Sequence, residues 1–431
     1  MMQSLHMIFY KQLTSWLLYG RLEDTYKEFF IQKKETAQES LLFADNKNCS
    51  DEIKNHNDMW NYDIDANMLP SYITFTLAAK ILSIGQTIII FGNDPRGGKD
   101  FFVTDKPAST VWGEKEHEYF KKLRSLQMKP VFNVIEFENT IDELKKCVTK
   151  LLWHIVVEDA QLLQQLKYIK DFYLIGRGDL FLDFIKLTSH ILSKPPTNHT
   201  SRDLNVAFRM AVRKIMLNDE GAIDDFNFSV PVPDLSTEDS SLNDYNTIFR
   251  FLLRVKKTQI NLWNLWTEHT CSKNIDIGVL QLRNNLIFIL DNLQYYLQVD
   301  VLESQHAVME NRMKSTENFE DVQTAHSVFL ANVLSQTFLA SSNEKHKNPV
   351  NNLIRLLLRL CDDFILQASI WEVNKLLSTE KEELKALTDT LSTIMDLLIK
   401  TLNKVRAQPS GVHLAQLLLR LDFNRWFSMQ M

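Results

Sequence analysis

The sequence predicts an all-α protein, an elongated stack of antiparallel helical bundles with minor short β segments in its N-terminal part. Three observations carry that reading. Gly and Pro are scarce, 11 and 10 residues in a chain of 431, and neither occurs between Gly278 and Pro349 or between Pro349 and Pro409. A β fold needs turn residues far more often than that. The stretch LRNNLIFILDNLQYYLQVDVLES, 282–304, sets Leu282, Leu286, Ile289, Leu293 and Tyr296 at the alternating four-and-three spacing of one helical face. Leu280, Ile287, Leu290, Leu297 and Val301 lie beside them, so this helix is apolar around most of its girth, as in helices buried among others. Finally, the long periodic segments of the back half are joined by only a few residues, which favours antiparallel neighbours.

Taken in order, Leu5, Phe9, Leu13, Trp16 and Leu17 form a helical face, and Gly20 stands where a helix C-terminus is commonly closed. Apolar Phe29, Phe30 and Ile31 follow, then a polar linker to about Asp58. Ser71 is a suitable cap for the next helix. That segment, SYITFTLAAKILSIGQTIIIFG, is expected to be a core helix that ends near Gly85 or passes into a buried apolar strand. It is the best membrane candidate, but Lys80 and Gln86 interrupt it, and a central Lys costs roughly 2.5–3.5 kcal/mol. No membrane insertion is expected. Residues 93–112 read as a loop, Glu114 to Gln127 as a short helix, and Asn139 as the cap of a longer one. Gly176 and Gly178 interrupt the helical pattern of 169–187, marking a hinge or a tight junction between helices, and a domain boundary is placed near it, giving domains 1–166 and 167–431. After the acidic, Pro-containing linker 218–241, helices are expected at about 242–270, 275–314, 318–340, 350–377, 379–406 and 412–427. Asn284, Asp291, Gln298 and Gln305, seven residues apart, hold a narrow polar strip on the second of these, expected to face solvent or a buried water line, with a protein partner as the alternative. Trp263 and Trp266, with Leu262 and Leu265, read first as core and second as an interface anchor. RLDFNRWF, 420–427, divides evenly between core and interface.

Little in the chain asks to be read as catalysis. The net charge of −6 comes without a long basic run, which argues against nucleic acid as a partner. The four cysteines form no CxxC pair, and His154, His190, His199, His269 and His326 have no ligand spacing, so neither zinc nor a disulfide framework is indicated. Scattered thiols fit a reducing compartment. IIIFGNDPRGGKD, 88–100, comes nearest to a phosphate loop, but Asn93 takes the first glycine position and Asp100 replaces the magnesium-binding hydroxyl beside Lys99. No nucleophile-elbow pattern is present. No cofactor and no enzymatic activity are expected.

DNLQYYLQVDVLES, 291–304, resembles the signature of the gamma-tubulin complex components. The resemblance runs through nearly the whole chain: WLLYGRLEDTYKEFFI from Trp16, LPSYI from Leu69, AAKIL from Ala78, KDFYLIGRGDLF from Lys170, DLNVAF from Asp203, FEDVQTAHSVFLANVLSQTF from Phe319 and LAQLLLRLDFN from Leu414. The fourth, smallest branch of that family is the nearest in pattern. The resemblance implies a C-terminal repeat that binds gamma-tubulin and an N-terminal repeat that contacts neighbouring components laterally. Gamma-tubulins held side by side then template a microtubule, in the cytoplasm and cytoskeleton at centrosomes, other microtubule-organizing centres and spindle poles. Two departures stand out. The chain starts partway into the N-terminal repeat, and PVPDLSTEDSS occupies the place of an apolar segment with a Trp-Pro-Leu core.

On this resemblance the chain is expected to be a non-enzymatic scaffold, with gamma-tubulin and other complex components as partners. Its gamma-tubulin contacts are expected at Arg177 and Asp179, at Arg283, Asp300 and Glu303, and at Arg420, Asp422 and Asn424. The alternative is a generic helical adaptor that associates laterally without capturing gamma-tubulin.

Overall fold

The computed structural model describes the chain apart from residues 1, 23, 25, 34–61, 93–111, 113–114, 130–131, 160, 193–196, 198, 216–239, 271–274, 341–347, 372–375, 408–410, 412 and 423–431. Among the described residues, regular structure is helical except for one two-stranded sheet. The chain divides into two compact units, Met1–Leu162 with Thr316–Val322, and Leu163–Ser315 with Gln323–Met431. No described helix is long and apolar enough to cross a membrane.

The first unit holds α1 (Met2–Tyr19), α2 (Phe75–Gly92), α3 (Glu116–Gln127) and α4 (Val134–Trp153), the last continued by a π turn at His154–Asp159. Helix α2 packs against α1 and α4, and α1 also against α3. Strands β1 (Ile31–Lys33) and β2 (Tyr62–Ile64) pair antiparallel, with Ile31 opposite Ile64. Gly20 closes α1 as expected: at φ +61° it donates its N–H to the Trp16 carbonyl at 3.0 Å. Two caps differ from the sequence reading. Helix α2 begins at Phe75, with Thr74 Oγ1 accepting from the Leu77 N–H at 3.3 Å, so Ser71 is not its cap. Helix α4 begins at Val134 because Asn133 accepts from the N–H groups of Ile135 and Glu136, six residues before Asn139. Nor does α2 stop near Gly85 or turn into a strand. Buried Leu77, Ala78, Ile81, Ile84 and Ile88 keep the helical spacing past that glycine. Gly85 instead makes room for the Trp16 indole, whose Nε1 donates to the Ile81 carbonyl at 2.9 Å.

The second unit begins with α5 (Leu162–Phe172), α6 (Gly178–Leu192) and α7 (Thr200–Ile215). The junction between α5 and α6 is tight: Gly176 donates to the Lys170 carbonyl and Arg177 to the Asp171 carbonyl, both at 3.1 Å. A Cβ on Gly176 would stand 3.0 Å from that Lys170 oxygen. Then come α8 (Ser240–Thr270) and α9 (Ile277–Tyr295), which a π-helical segment (Tyr296–Glu303) carries into α10 (Ser304–Ser315). The set is completed by α11 (Phe319–Gln336), whose first turn to Val322 groups with the first unit, α12 (Pro349–Ile370), α13 (Ser378–Arg406) and α14 (Leu414–Leu421). Helix α8 packs on α9 and α12, α12 on α13, and α14 on both α9 and α13. The long helix expected at 275–314 is present, and its π interruption was not foreseen. The last helix is shorter than expected, and residues 423–427 lie outside the described residues. Most of the 93–112 loop, Lys99 included, and of the linkers 32–58 and 218–241 also lies outside them.

Candidate protein interface

The apolar faces read from the sequence are the core of the second unit. Leu282, Leu286, Ile289, Leu290, Leu293, Tyr296, Leu297 and Val301 are all buried. In the polar strip beside them Asn284 is exposed, as expected, while Asp291, Gln298 and Gln305 are half-buried and bonded to neighbouring elements. Gln259 Nε2 of α8 donates to Asp291 at 2.6 Å, Gln298 Nε2 donates to the Leu174 carbonyl at 3.2 Å, and Asn332 Nδ2 of α11 donates to Gln305 at 3.0 Å. A single row on one helix thus ties it to three neighbours. Half-buried polar groups meet water on one side only, and these take protein partners on the other.

The π segment sits where that helix is most firmly held. A π turn takes an extra residue, which rotates the following side chains around the axis, and such segments are frequent at functional sites. Here Tyr296 Oη donates to the Gln336 carbonyl at 3.1 Å, and burial pushes its phenol pKa up. On the same segment Asp300 receives both arms of Arg420 from α14, Nε at 3.1 Å and Nη2 at 3.0 Å. The Arg420 guanidinium also lies 4.0 Å from the centre of the Tyr295 ring. Glu303 pairs with Lys170 of α5 at 2.8 Å.

Of the residues expected to meet a partner, the structure therefore brings Asp300 and Arg420 together as an internal fork. Arg177 pairs with Asp179 at 3.4 Å at the start of α6. Burial would raise the Asp179 carboxyl, but the Leu180 amide and Arg177 hold it below its usual range. Asp422 is half-buried at the end of α14, its N–H on the Leu418 carbonyl, and Asn424 lies outside the described residues. Arg283 differs most from expectation. It is 1% exposed, set over the Trp266 ring at 4.2 Å and beside His269 Nδ1 at 3.1 Å, so its guanidinium offers nothing to a partner in this conformation. Trp263 and Trp266 reverse the first reading made of them: they are 48% and 40% exposed, while Leu262 and Leu265 take the core positions. The helix cannot bury all four, because their spacing spreads them over more than one face.

The sequence reading missed an apolar stripe. Phe288, Tyr295 and Val299 stand out from α9 and the π segment, and Leu419 from α14, each more than two-fifths exposed. A helix apolar nearly all round gives no signal for which apolar residues stay outside. Exposed apolar residues beside a rigid charged fork are the usual composition of a protein-binding face.

The family model described as gamma tubulin complex component N-terminal matches residues 1–159, and that described as gamma tubulin complex component C-terminal matches 162–239 and 237–427. The chain belongs to the gamma-tubulin complex component family. It is 30% identical to gamma-tubulin complex component 4 of Mus musculus and 31% to that of Homo sapiens, in each case across 98% of this chain and 72% of the relative. The Arabidopsis thaliana protein of the same name is 23% identical, across 98% of this chain and 70% of its own length. Within this family membership, the stripe and the Asp300–Arg420 fork belong to residues that the C-terminal model covers.

Proposed function

We propose that this chain is a non-enzymatic scaffold of a gamma-tubulin ring complex. Its C-terminal domain, 167–431, binds gamma-tubulin, and its N-terminal domain, 1–166, makes lateral contacts with other components. The complex supports microtubule nucleation at centrosomes, other microtubule-organizing centres and spindle poles, in the cytoplasm and cytoskeleton. The observation that carries this reading is the exposed stripe Phe288, Tyr295 and Val299, set on a helix anchored to its neighbours along its length, with exposed Leu419 on α14, which packs against that helix. A rigid face loses little freedom on docking, so more of its contact energy appears as affinity. Gamma-tubulins held in fixed array likewise lower the entropic barrier to the first microtubule layer. The expected contacts Arg177, Asp179, Glu303 and Asp422 border that helix region or its junction, with Asp300 and Arg420 holding Tyr295 in place.

For the first unit, Met7, Ile8, Phe120 and Met128 are exposed around a cavity of about 600 Å³, and this supports a lateral protein contact there. The adaptor reading, lateral association without gamma-tubulin, draws on the acidic PVPDLSTEDSS stretch in place of an apolar segment. Size-exclusion chromatography of the full chain with gamma-tubulin separates the two. Co-migration that Tyr295→Glu abolishes supports the scaffold. A chain that binds another family component but never co-migrates with gamma-tubulin is an adaptor.

A further inference from the structure

Four arginines converge on one groove of the second unit. Arg250 and Arg254 come from α8, Arg355 and Arg359 from α12, and all four are exposed. Phe251, Leu339 and Leu358 make an apolar floor between them, in a cavity of about 390 Å³. Arg254 reaches Asp362 at 2.6 Å. The other three have no carboxylate partner among the described residues, although the chain carries 54 acidic against 48 basic residues. Four like charges drawn together in an acidic protein repel one another, while both packed helices carry buried apolar residues, Ile248 and Leu252 on α8 and Ile354 and Leu357 on α12, to hold them together without the arginines.

We propose that this groove binds an acidic peptide segment of a partner protein, its carboxylates held by Arg250, Arg355 and Arg359 over the apolar floor at Phe251. The spacing argues for a peptide over a compact anion. Arginines four apart on a helix are separated by about 6 Å along the axis, and packed helices stand about 8–10 Å apart. One phosphate does not span that quadrilateral. An extended peptide with acidic residues at alternate positions repeats every ~6.6 Å and matches the arginine spacing, while the residues between point to the other face. Guanidinium forks also suit carboxylates geometrically, by two parallel hydrogen bonds. This groove uses residues distinct from the Tyr295 stripe, so the inference stands whether or not the chain captures gamma-tubulin.

The test is fluorescence anisotropy of the full chain with a labelled dodecapeptide of alternating Glu and Leu. Binding is expected that weakens at least about tenfold, roughly 1.4 kcal/mol, in the double variant Arg355→Ala/Arg359→Ala and comparably in Arg250→Glu, with melting temperatures unchanged. The affinity should also fall steeply as salt rises, and a Gln–Leu peptide should not bind. Equal binding by the variants, or equal binding of the Gln–Leu peptide, overturns the proposal. So does the absence of any peptide binding by the full chain. Binding of inositol hexakisphosphate in preference to the Glu–Leu peptide would overturn it too, in favour of a phosphate site.

Discussion

Gly85 and Trp16 show how one missing methyl group positions a unit. A Cβ added at Gly85 would stand 2.1 Å from Trp16 Cε2, and the indole is not free to yield. Its Nε1 is bonded to the Ile81 carbonyl, and its ring stands 4.9 Å from that of Tyr62 on β2. Gly85→Ala is therefore expected to destabilise the first unit by about 1–3 kcal/mol, the range for overpacked cores, with a fall of several degrees in its melting transition by differential scanning calorimetry. The Asp300–Arg420 fork is tested differently. Both side chains are largely shielded, at 18% and 27% exposure, so removing one leaves the other poorly solvated. Arg420→Ala is expected to cost about 1–3 kcal/mol, between the values for surface and buried pairs. A double-mutant cycle with Asp300→Ala should return much of that as coupling; additivity would mean the fork contributes nothing. At this scale the sequence was only partly legible. Asp300 and Arg420 were expected as partner contacts from the family resemblance, but 120 residues of separation hid that they bond to each other. The burial of Arg283 was illegible too, because a helical position says nothing of a Trp266 ring arriving from the preceding helix.

Among the elements, period and breakers located the helices well, because every long helix of the second unit buries residues at a spacing of three or four. Caps were less legible, since Asn133 and Asn139 both precede apolar periodic residues and only the extended backbone of Asn133 marks the start. The π segment was invisible to pattern reading, because YLQVDVLE keeps an apolar face in either geometry. What that segment and its neighbours bury has a pH consequence. His306 on α10 is held below its ordinary value of 6.5 by burial and by nearby Lys170, although Glu310 and Glu303 pull the other way. Burial also lowers His269, where the Arg283 charge adds to the effect, and His326, whose Nε2 lies 2.9 Å from the Tyr245 hydroxyl. All three take up a proton more readily unfolded than folded. Stability from these groups is thus complete above about pH 6.5 and is lost as pH falls below it, where the unfolded chain binds protons that the fold refuses. Thermal melts between pH 7.5 and 5.5 should show the second unit's transition moving downward across that window. Replacing His326 by Gln, which keeps a polar group near Tyr245, should flatten part of the slope.

For the molecule as a whole, composition restricted function more than it revealed it. A net charge of −6 without a basic run gives no sign of a polyanion partner, and protein association surfaces have no sequence period of their own. The stripe at Phe288, Tyr295 and Val299 therefore became visible only once the core had claimed its residues. Its role is open to a sharp test because the two proposed contacts lie on different units. Tyr295→Glu with Val299→Glu places charge on a face that must lose water on docking, and each desolvated charge without a partner is costly. The pair is expected to weaken gamma-tubulin binding by at least about a hundredfold, ~2.7 kcal/mol on the affinity scale. Both positions are exposed, so stability should fall only by the lost Tyr295–Arg420 stacking, about 0.5–1 kcal/mol at such a site. Phe120→Glu in the first unit should leave that affinity intact and weaken association with another family component instead. Biolayer interferometry of the three full-length proteins against each partner reads both effects. If Phe120→Glu costs as much gamma-tubulin affinity as the stripe variant does, the division of labour between the units is wrong, and gamma-tubulin is held by both.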